Sequence, residues 1–309
     1  MGRGTATALK EIPFYGEARL ARMRASTSIL PANRAVSYCL RSLSVGLWFE
    51  CLRSRMGLSS AYALGQSISP ERPGCHSNVW VKYAHAEHVP SQATQAAAEA
   101  RYPGSRMVLC SPVWAALNVH EALGGCGESI LMSLSAPVQL EVFSGASLRA
   151  GMFVRRDRRL REITEGLCGL GTLDSLAALV VMLRVAHEQG RRHDCFALGR
   201  ALHDCLLLVG QDSPIQLIAE ELFWYFSHFV LPFTGCRGVR IASSRRRLLL
   251  QHEVLSRLVL ELEDSGFDYL PGMRHPLLRV VRNQQHAPSS RFFSPGVGPC
   301  SATSRQMAR

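Results

Sequence analysis

The sequence has few lysines, few aromatic residues and no apolar run long enough to cross a bilayer. Lys10 and Lys82 are the only lysines, and Phe, Trp and Tyr make up 7% of the chain. The longest apolar stretches, 176–183 and 222–233, end or are interrupted well before the roughly 20 positions that a membrane helix needs. The first residues also lack the apolar segment of a secretory signal. We therefore expect a cytoplasmic protein with no membrane partner.

The chain contains ten cysteines, but no two of them have the C-x-x-C spacing of a zinc ribbon or a redox motif. Cys75, His76, His85 and His88 are of metal-binding types, yet their spacing matches no recognised zinc pattern. A thiol in a reducing compartment usually packs as a small apolar residue. We therefore expect no metal site, and we predict no cofactor.

Positive charge is plentiful and is carried almost entirely by arginine. Lys plus Arg number 35 against 24 Asp plus Glu, so the net charge is +11. A guanidinium offers a planar fork of donors that matches phosphate oxygens, which favours nucleic acid or acidic partners. An arginine bias also arises from a GC-rich genome, and charge runs are often solvated faces. The basic clusters before residue 60, at 155–161 and at 237–247 are therefore candidate phosphate contacts only.

Apolar residues recur at helical spacing through most of the chain. The pattern predicts a mainly α protein with a helix-turn-helix-like N-terminal domain, a short extended connector and a C-terminal helical bundle. A first long helix should begin near Ala35 and end near Gly57. Within the connector, Pro137–Phe143 alternates apolar and polar residues, which favours extended structure. Ser213, Pro214 and Gln216 form a capping-box pattern that predicts the start of another helix.

These patterns divide the chain into five segments. Both ends are rich in Gly, Pro, Ser and Arg without a sustained period, which is typical of poorly ordered chain. The glycine-rich run 166–171 should form a turn between helices, and two helices following Thr172 should pair as a hairpin. The predicted segments are a disordered basic N-terminal segment (1–32), the helix-turn-helix-like domain (33–123), the connector (124–153), the helical bundle (154–270) and a loose tail (271–309).

The strongest functional signal is a short helix at 58–65, a turn, and a second helix that starts at Ser77 and stops before Pro90. Trp80 and Tyr83 provide the apolar face that would dock the second helix. Asn side chains read adenine edges, and Lys side chains meet guanine or phosphate. The order of elements predicts that Ser77, Asn78 and Lys82 contact DNA from this helix. Two arginines before the motif, Arg53 and Arg55, are predicted to contact phosphates.

The run Trp80-Val-Lys-Tyr83, followed by Val89-Pro90-Ser91, resembles the end of the Cro/repressor-type helix-turn-helix, and the resemblance covers about 45 residues. The chain is also similar to uncharacterised bacterial proteins with an N-x-W-x-x-Y run and later Pro-Ser, Pro-Gly and Pro-x-Trp pairs. The matching residues are Asn78, Trp80, Tyr83, Pro90, Ser91, Pro103, Gly104, Pro112 and Trp114. The resemblance implies a transcriptional regulator that binds double-stranded DNA as a homodimer. Two features depart from the repressor pattern: Ala86 stands where that pattern has Gly, and 67–76 exceeds the usual turn.

Two other classes of function compete with DNA binding. The same helices could serve as a protein-interaction or scaffold module in which Trp80 and Tyr83 only pack. A cysteine hydrolase would need a Cys and a His together, and the triplets 193–195 and 203–205 both read His-Asp-Cys. Ten residues advance a helix by about 1000°, roughly 80° short of three full turns, so the triplets would face different directions. We therefore predict no catalytic residues and no enzyme.

Overall fold

The computed structural model describes residues 13–69, 76–264 and 292–300 of the 309-residue chain. These residues are mainly helical, with one two-stranded sheet among them, which confirms the predicted fold class. The chain forms two compact units. The first comprises the described residues up to Trp114 together with Asp212–Leu222, and the second comprises Ala115–Gln211 and the described residues from Phe223 onward. Among the described residues, no helix is both long and apolar enough to span a membrane.

The first unit is built from one long helix and several shorter ones. A left-handed glycine, Gly57 (φ 64°), follows the end of the long helix. The next helix begins where the Ser60 hydroxyl accepts a hydrogen bond from the Ala63 N–H, and Ser91 caps a later helix in the same way. The helices of this unit are α1 (Pro13–Ile29), α2 (Ala32–Arg55), α3 (Ala61–Ile68), α4 (His76–Ala84), α5 (Gln92–Arg101) and α6 (Ser105–Leu109), with a 3₁₀ turn at Ile215–Ile218.

The core of the first unit surrounds α2. Trp48 is fully buried and stacks on Trp80 of α4, with ring centroids 5.7 Å apart and an interplanar angle of 14°. Tyr83 presents its ring edge to both tryptophans. Phe49 and Leu64 belong to the same cluster. Burial of large aromatic rings is the main source of stability in such a core.

The second unit contains most of the remaining helices, but the helices Val113–Leu117 and Ala219–Tyr225 each cross the boundary between the units. The Thr172 hydroxyl accepts from the Ser175 N–H at the start of one helix, and Gly190 (φ 70°) follows its end. The next helix packs against it, as the predicted hairpin requires. The helices are α7 (Val113–Leu117), α8 (Cys126–Met132), α9 (Ala136–Val142), α10 (Gly145–Arg149), α11 (Leu160–Leu170), α12 (Leu173–Glu188), α13 (Arg192–Val209), α14 (Ala219–Tyr225) and α15 (Arg245–Asp264), with a π turn at Phe226–Val230 and a 3₁₀ turn at Leu231–Thr234.

A small antiparallel sheet joins β1 (Val239–Ile241) to β2 (Val297–Pro299), with Val239 opposite Pro299. The residues before β2 are held along the start of α15. The Arg247 guanidinium donates to the Ser294 carbonyl at 2.7 Å, and the Ala242 N–H donates to the Gly296 carbonyl at 2.7 Å. The prediction of a loose tail is therefore wrong for residues 292–300, while 265–291 and 301–309 lie outside the described residues.

The N-terminal prediction also needs correction. Pro13–Ile29 form α1, although the sequence suggested a poorly ordered basic segment over 1–32. The inward face of α1 contains Arg19 together with Leu20 and Met23, and each of these side chains is at most 3% exposed. Because a charged residue occupies the core position, the apolar period of this helix is too weak to recognise. The predicted segment at 1–12 lies outside the described residues.

Two local predictions in the rest of the chain are wrong. Pro137–Phe143 is not extended, since Ala136–Val142 forms α9 and buries Val138 and Val142 one turn apart. An isolated β-bridge joins Phe143 of the connector to Arg155, just after it.

The capping box at Ser213 does not form. The Ser213 side chain makes no cap hydrogen bond, and the Gln216 N–H donates instead to the Asp212 carbonyl at 2.7 Å. A 3₁₀ turn therefore precedes α14, and the expected single helix is divided into 3₁₀, α and π segments. The Asp212–Leu222 segment also belongs to the first unit, which the predicted boundaries at 123 and 154 did not anticipate.

Candidate nucleic-acid interface

The predicted pair of helices is present in the first unit as α3 and α4, which pack against each other. Helix α4 is docked by its inner face, where Trp80 is 3% exposed and Tyr83 is 5% exposed. The segment between the two helices, at 70–75, lies outside the described residues. The structure thus brings together the two helices that the sequence predicted and assigns Trp80 and Tyr83 to the core.

The outer face of α4 presents Lys82. This side chain is exposed, and it makes no ion pair within the described part of the chain. Val79, one turn earlier, is 41% exposed. Ser77 and Asn78 lie in the first turn of α4, and position 78 precedes Lys82 by one helical turn. The side chains of Ser77 and Asn78 themselves lie outside the described residues.

Helix α4 ends in a Schellman arrangement. The Ala86 N–H donates to the Tyr83 carbonyl, and the Glu87 N–H donates to the Lys82 carbonyl at 2.8 Å. Ala86 adopts a left-handed conformation (φ 53°), although alanine rarely does so. The position where the repressor pattern has glycine therefore has the backbone conformation that glycine favours.

The two predicted phosphate contacts, Arg53 and Arg55, lie in different environments. Arg55 is exposed at the end of α2, with its guanidinium 4.9 Å from the centroid of the Tyr102 ring. Arg53 is only 6% exposed, since its Nε donates to Glu50 Oε2 at 2.8 Å and its Nη1 donates to the Leu58 carbonyl. The Arg53 guanidinium stabilises the end of α2 from inside, so we leave this residue out of the interface.

Sequence reasoning missed Arg101, an exposed residue at the end of α5. Its Nε donates to the Ser67 carbonyl at 3.3 Å, which places the guanidinium beside the C-terminal end of α3. The contact joins residues that are far apart in the sequence, so no local pattern could have revealed it. Lys82 is exposed on α4, Arg101 is exposed beside the end of α3, and Arg55 is exposed at the end of α2 beside Tyr102.

The opposite end of α4 is held by α1. Arg19 Nη1 donates to the Ala84 carbonyl at 2.8 Å, and Arg22 Nη1 donates to the His85 carbonyl at 3.2 Å. Cations suit the last turn of a helix because its carbonyls are unpaired and its dipole is negative there. Burial lowers the pKa of His85, and Arg22 lowers it further. His85 therefore remains neutral near pH 7.

Arg19 also connects two buried carboxylates. Its Nε lies 2.8 Å from Glu221 Oε1, and its Nη1 lies 3.2 Å from Glu50 Oε1. Burial opposes the charge on Arg19, but the two carboxylates outweigh it and raise the pKa of Arg19. Burial raises the pKa of Glu221, and Arg19 counteracts part of that rise. This network fixes α1, α2 and α14 around the end of α4.

The two His-Asp-Cys triplets of the hydrolase alternative lie in the second unit. Cys195 and Cys205 are fully buried, and burial raises the pKa of Cys195. His203 is also buried, and its Nε2 lies 3.0 Å from Gln251 Oε1. His193 Nδ1 lies 3.8 Å from Cys236 and not beside either cysteine of the triplets. The structure does not assemble the two triplets into a cysteine and histidine pair.

The remaining candidates are a metal site, the glycine-rich run 166–171 and the basic cluster at 155–161. No group of three metal-ligating side chains occurs within residues 13–69, 76–264 and 292–300, and Cys75 lies outside these ranges. The glycine-rich run is largely helical, and Gly171 alone turns the chain (φ 53°). In the basic cluster at 155–161, Arg155 pairs with Glu128 at 2.7 Å, and Arg158 lies 3.8 Å from Glu141. Local pairing therefore offsets much of the positive charge there.

Comparison of the chain with known protein families, with curated proteins and with solved structures finds no match.

Proposed function

We propose that this protein binds double-stranded DNA through α4 and regulates transcription. The observation that carries this proposal is the docking of α4 by Trp80 and Tyr83, which leaves Lys82 on its outer face. A recognition helix needs an apolar side fixed to its domain and a polar side directed at the groove. Lys82, Arg55 and Arg101 would neutralise phosphates, and Ser77 and Asn78 would approach base edges.

Substituting Lys82 with alanine should weaken DNA binding and reduce its salt dependence. The wild-type protein should bind a labelled duplex of random sequence with a micromolar dissociation constant at low salt. Loss of one phosphate contact should reduce the slope of log K against log salt by about one. Fluorescence anisotropy at several salt concentrations measures both quantities, and Arg55→Ala and Arg101→Ala should behave similarly.

Arg34→Ala is the matched control for this experiment. Arg34 is exposed at the start of α2, roughly 30 Å along the helix from Arg55. Its removal changes the net charge equally but should leave the slope almost unchanged. Absence of binding at low salt would contradict the proposal, as would equal effects of Arg34→Ala and Lys82→Ala.

A second candidate function is self-association as a helical interaction module. Met152, Phe153 and Val154 form an exposed apolar tip and are 55%, 38% and 52% exposed. The tip is held in place because the Ser144 N–H donates to the Val154 carbonyl at 2.8 Å and Phe153 packs edge-on against Phe143. Arg155, next to the tip, is already paired with Glu128 of the same chain, so the apolar side chains of the tip are the surface that a second copy would cover.

Replacing Phe153 with serine should abolish any dimer that forms through this tip. Sedimentation velocity over a range of protein concentrations would show a dimer for the wild-type protein and a monomer for the variant. Leu140→Ser, which removes another exposed apolar side chain outside the tip, should leave the dimer intact. A wild-type protein that remains monomeric at high concentration would exclude this candidate.

A further inference from the structure

A cleft in the second unit lies between the start of α15 and the segment that leads to β2. It is open to solvent, has a volume of about 470 Å³ and is lined by Ser244, Arg246, Arg247, Leu250 and Phe292. This volume is within the range of small-molecule sites in proteins. The lining residues of the cleft belong to the second unit, whereas the proposed DNA interface belongs to the first.

The walls of the cleft are fixed relative to each other. Gln251 donates from Nε2 to the Phe292 carbonyl, and Arg247 donates to the Ser294 carbonyl at 2.7 Å. Phe293 is 1% exposed and anchors the segment in the core. The neighbouring Phe292 is 39% exposed, with its ring at 89° to that of Phe293. The structure thus holds an aromatic ring at the surface, opposite the first turns of a helix.

The lining of the cleft combines positive charge with apolar surface. Arg246 is exposed, and its guanidinium makes no ion pair or hydrogen bond with any described residue. Arg247 also lines the cleft, but its Nη2 donates to the Ser294 carbonyl at 2.7 Å. Leu250, which is 48% exposed, lies one helical turn after Arg246 and also lines the cleft. Guanidinium groups bind phosphate oxygens, and an exposed ring stacks on a flat ligand.

We propose that this cleft binds a phosphate monoester attached to an aromatic ring or a nucleobase. Arg246 would bind the phosphate, and Phe292 would stack on the ring with Leu250 beside it. The distribution of charge favours a ligand with one anionic end and one flat apolar end. Inorganic phosphate would make only the first of these contacts.

The proposal can be tested by titrating the full chain with inorganic phosphate, phenyl phosphate and AMP in isothermal titration calorimetry. Phenyl phosphate and AMP should bind more tightly than inorganic phosphate. Arg246→Ala should weaken the binding of both by about tenfold or more, since it removes a charged hydrogen-bond donor. Phe292→Ala should weaken both ring-bearing ligands by about threefold or more and leave inorganic phosphate unchanged. Stronger binding of AMP than of phenyl phosphate would identify a nucleotide as the preferred ligand.

Arg257→Ala supplies the matched control. Arg257 lies on the same helix, its side chain is 71% exposed, and it pairs with Glu253 outside the cleft. Its removal should leave the affinities unchanged. Equal weakening by Arg257→Ala and Arg246→Ala would overturn the proposal, because net charge would then explain the binding. Failure of both ring-bearing ligands to bind would overturn it too, as would inorganic phosphate binding as tightly as phenyl phosphate.

Discussion

Replacing Arg19 with methionine should destabilise the protein by about 3–5 kcal/mol, the usual cost of removing one partner from a buried ion pair. Methionine approximates the length of the side chain but leaves Glu221 without its arginine. Glu50 is affected less, since Arg53 Nε still lies 2.8 Å from it. The Ala84 carbonyl at the end of α4 also loses its donor. Urea unfolding followed by circular dichroism measures the change in free energy.

Arg22→Met is the matched control for Arg19. Both arginines lie on α1, but the Arg22 side chain is 38% exposed and pairs with Glu87 at the surface. Exposed pairs contribute at most about 1 kcal/mol, so this variant should be close to wild type. The double variant Arg19→Met with Glu221→Met should recover a large part of the lost stability, because no unpaired carboxylate remains. Equal stability of the two single variants would contradict the role assigned to the buried network.

Replacing Trp48 with alanine should lower the free energy of unfolding by about 3–5 kcal/mol. The mechanism differs from that of Arg19→Met, because a large ring is lost from a packed core. The ring is fully buried and stacks on Trp80, so its removal also releases the inner face of α4. Under the proposed function, Trp48→Ala should therefore reduce DNA binding as well as stability. Thermal unfolding and anisotropy with the random duplex would measure the two effects.

Trp48→Phe tests the contribution of the aromatic surface apart from that of the indole N–H. The Trp48 Nε1 is buried and has no hydrogen-bond partner among the described residues. Phenylalanine retains most of the aromatic surface and removes this unpaired donor, whose burial is unfavourable. Its cost should be less than half that of Trp48→Ala, and DNA binding should persist. Equal destabilisation by the two variants would show that the stacked indole geometry is required, contrary to this account.

The long helices could be predicted from the sequence because their signals are local. Helices α2, α12, α13 and α15 all carry an apolar stripe at helical spacing, and such a stripe requires only neighbouring residues. Helices α3 and α4 were also anticipated, at 58–65 and from Ser77 onward, and the Ser60 hydroxyl starts α3 by accepting from the Ala63 N–H. The same kind of local reasoning was wrong at Pro137–Phe143, where burial of Val138 and Val142 overrides an alternating pattern.

The candidate interface was only partly visible in the sequence. Trp80, Tyr83 and Lys82 could be assigned to the two faces of α4, because side-chain direction follows from position along a helix. Arg53 and Arg55 looked equivalent, since both are basic and only two positions apart, but the helix turns one inward to Glu50 and leaves the other exposed. Arg101 was not visible in the sequence, because it lies beside α3 through a contact with Ser67, which is 34 positions earlier in the chain.

By itself, the sequence determined that this protein is mainly helical, that its positive charge is carried by arginine, and that α4 has an aromatic inner face. These properties depend on composition and on the spacing of neighbouring residues. Only the tertiary structure determined that Arg19 belongs to the core, that Asp212–Leu222 belongs to the first unit, and that Phe292 faces Arg246 across a cleft. A buried charge needs partners from distant parts of the chain, and a cleft needs walls from two such parts. No local pattern specifies those partners.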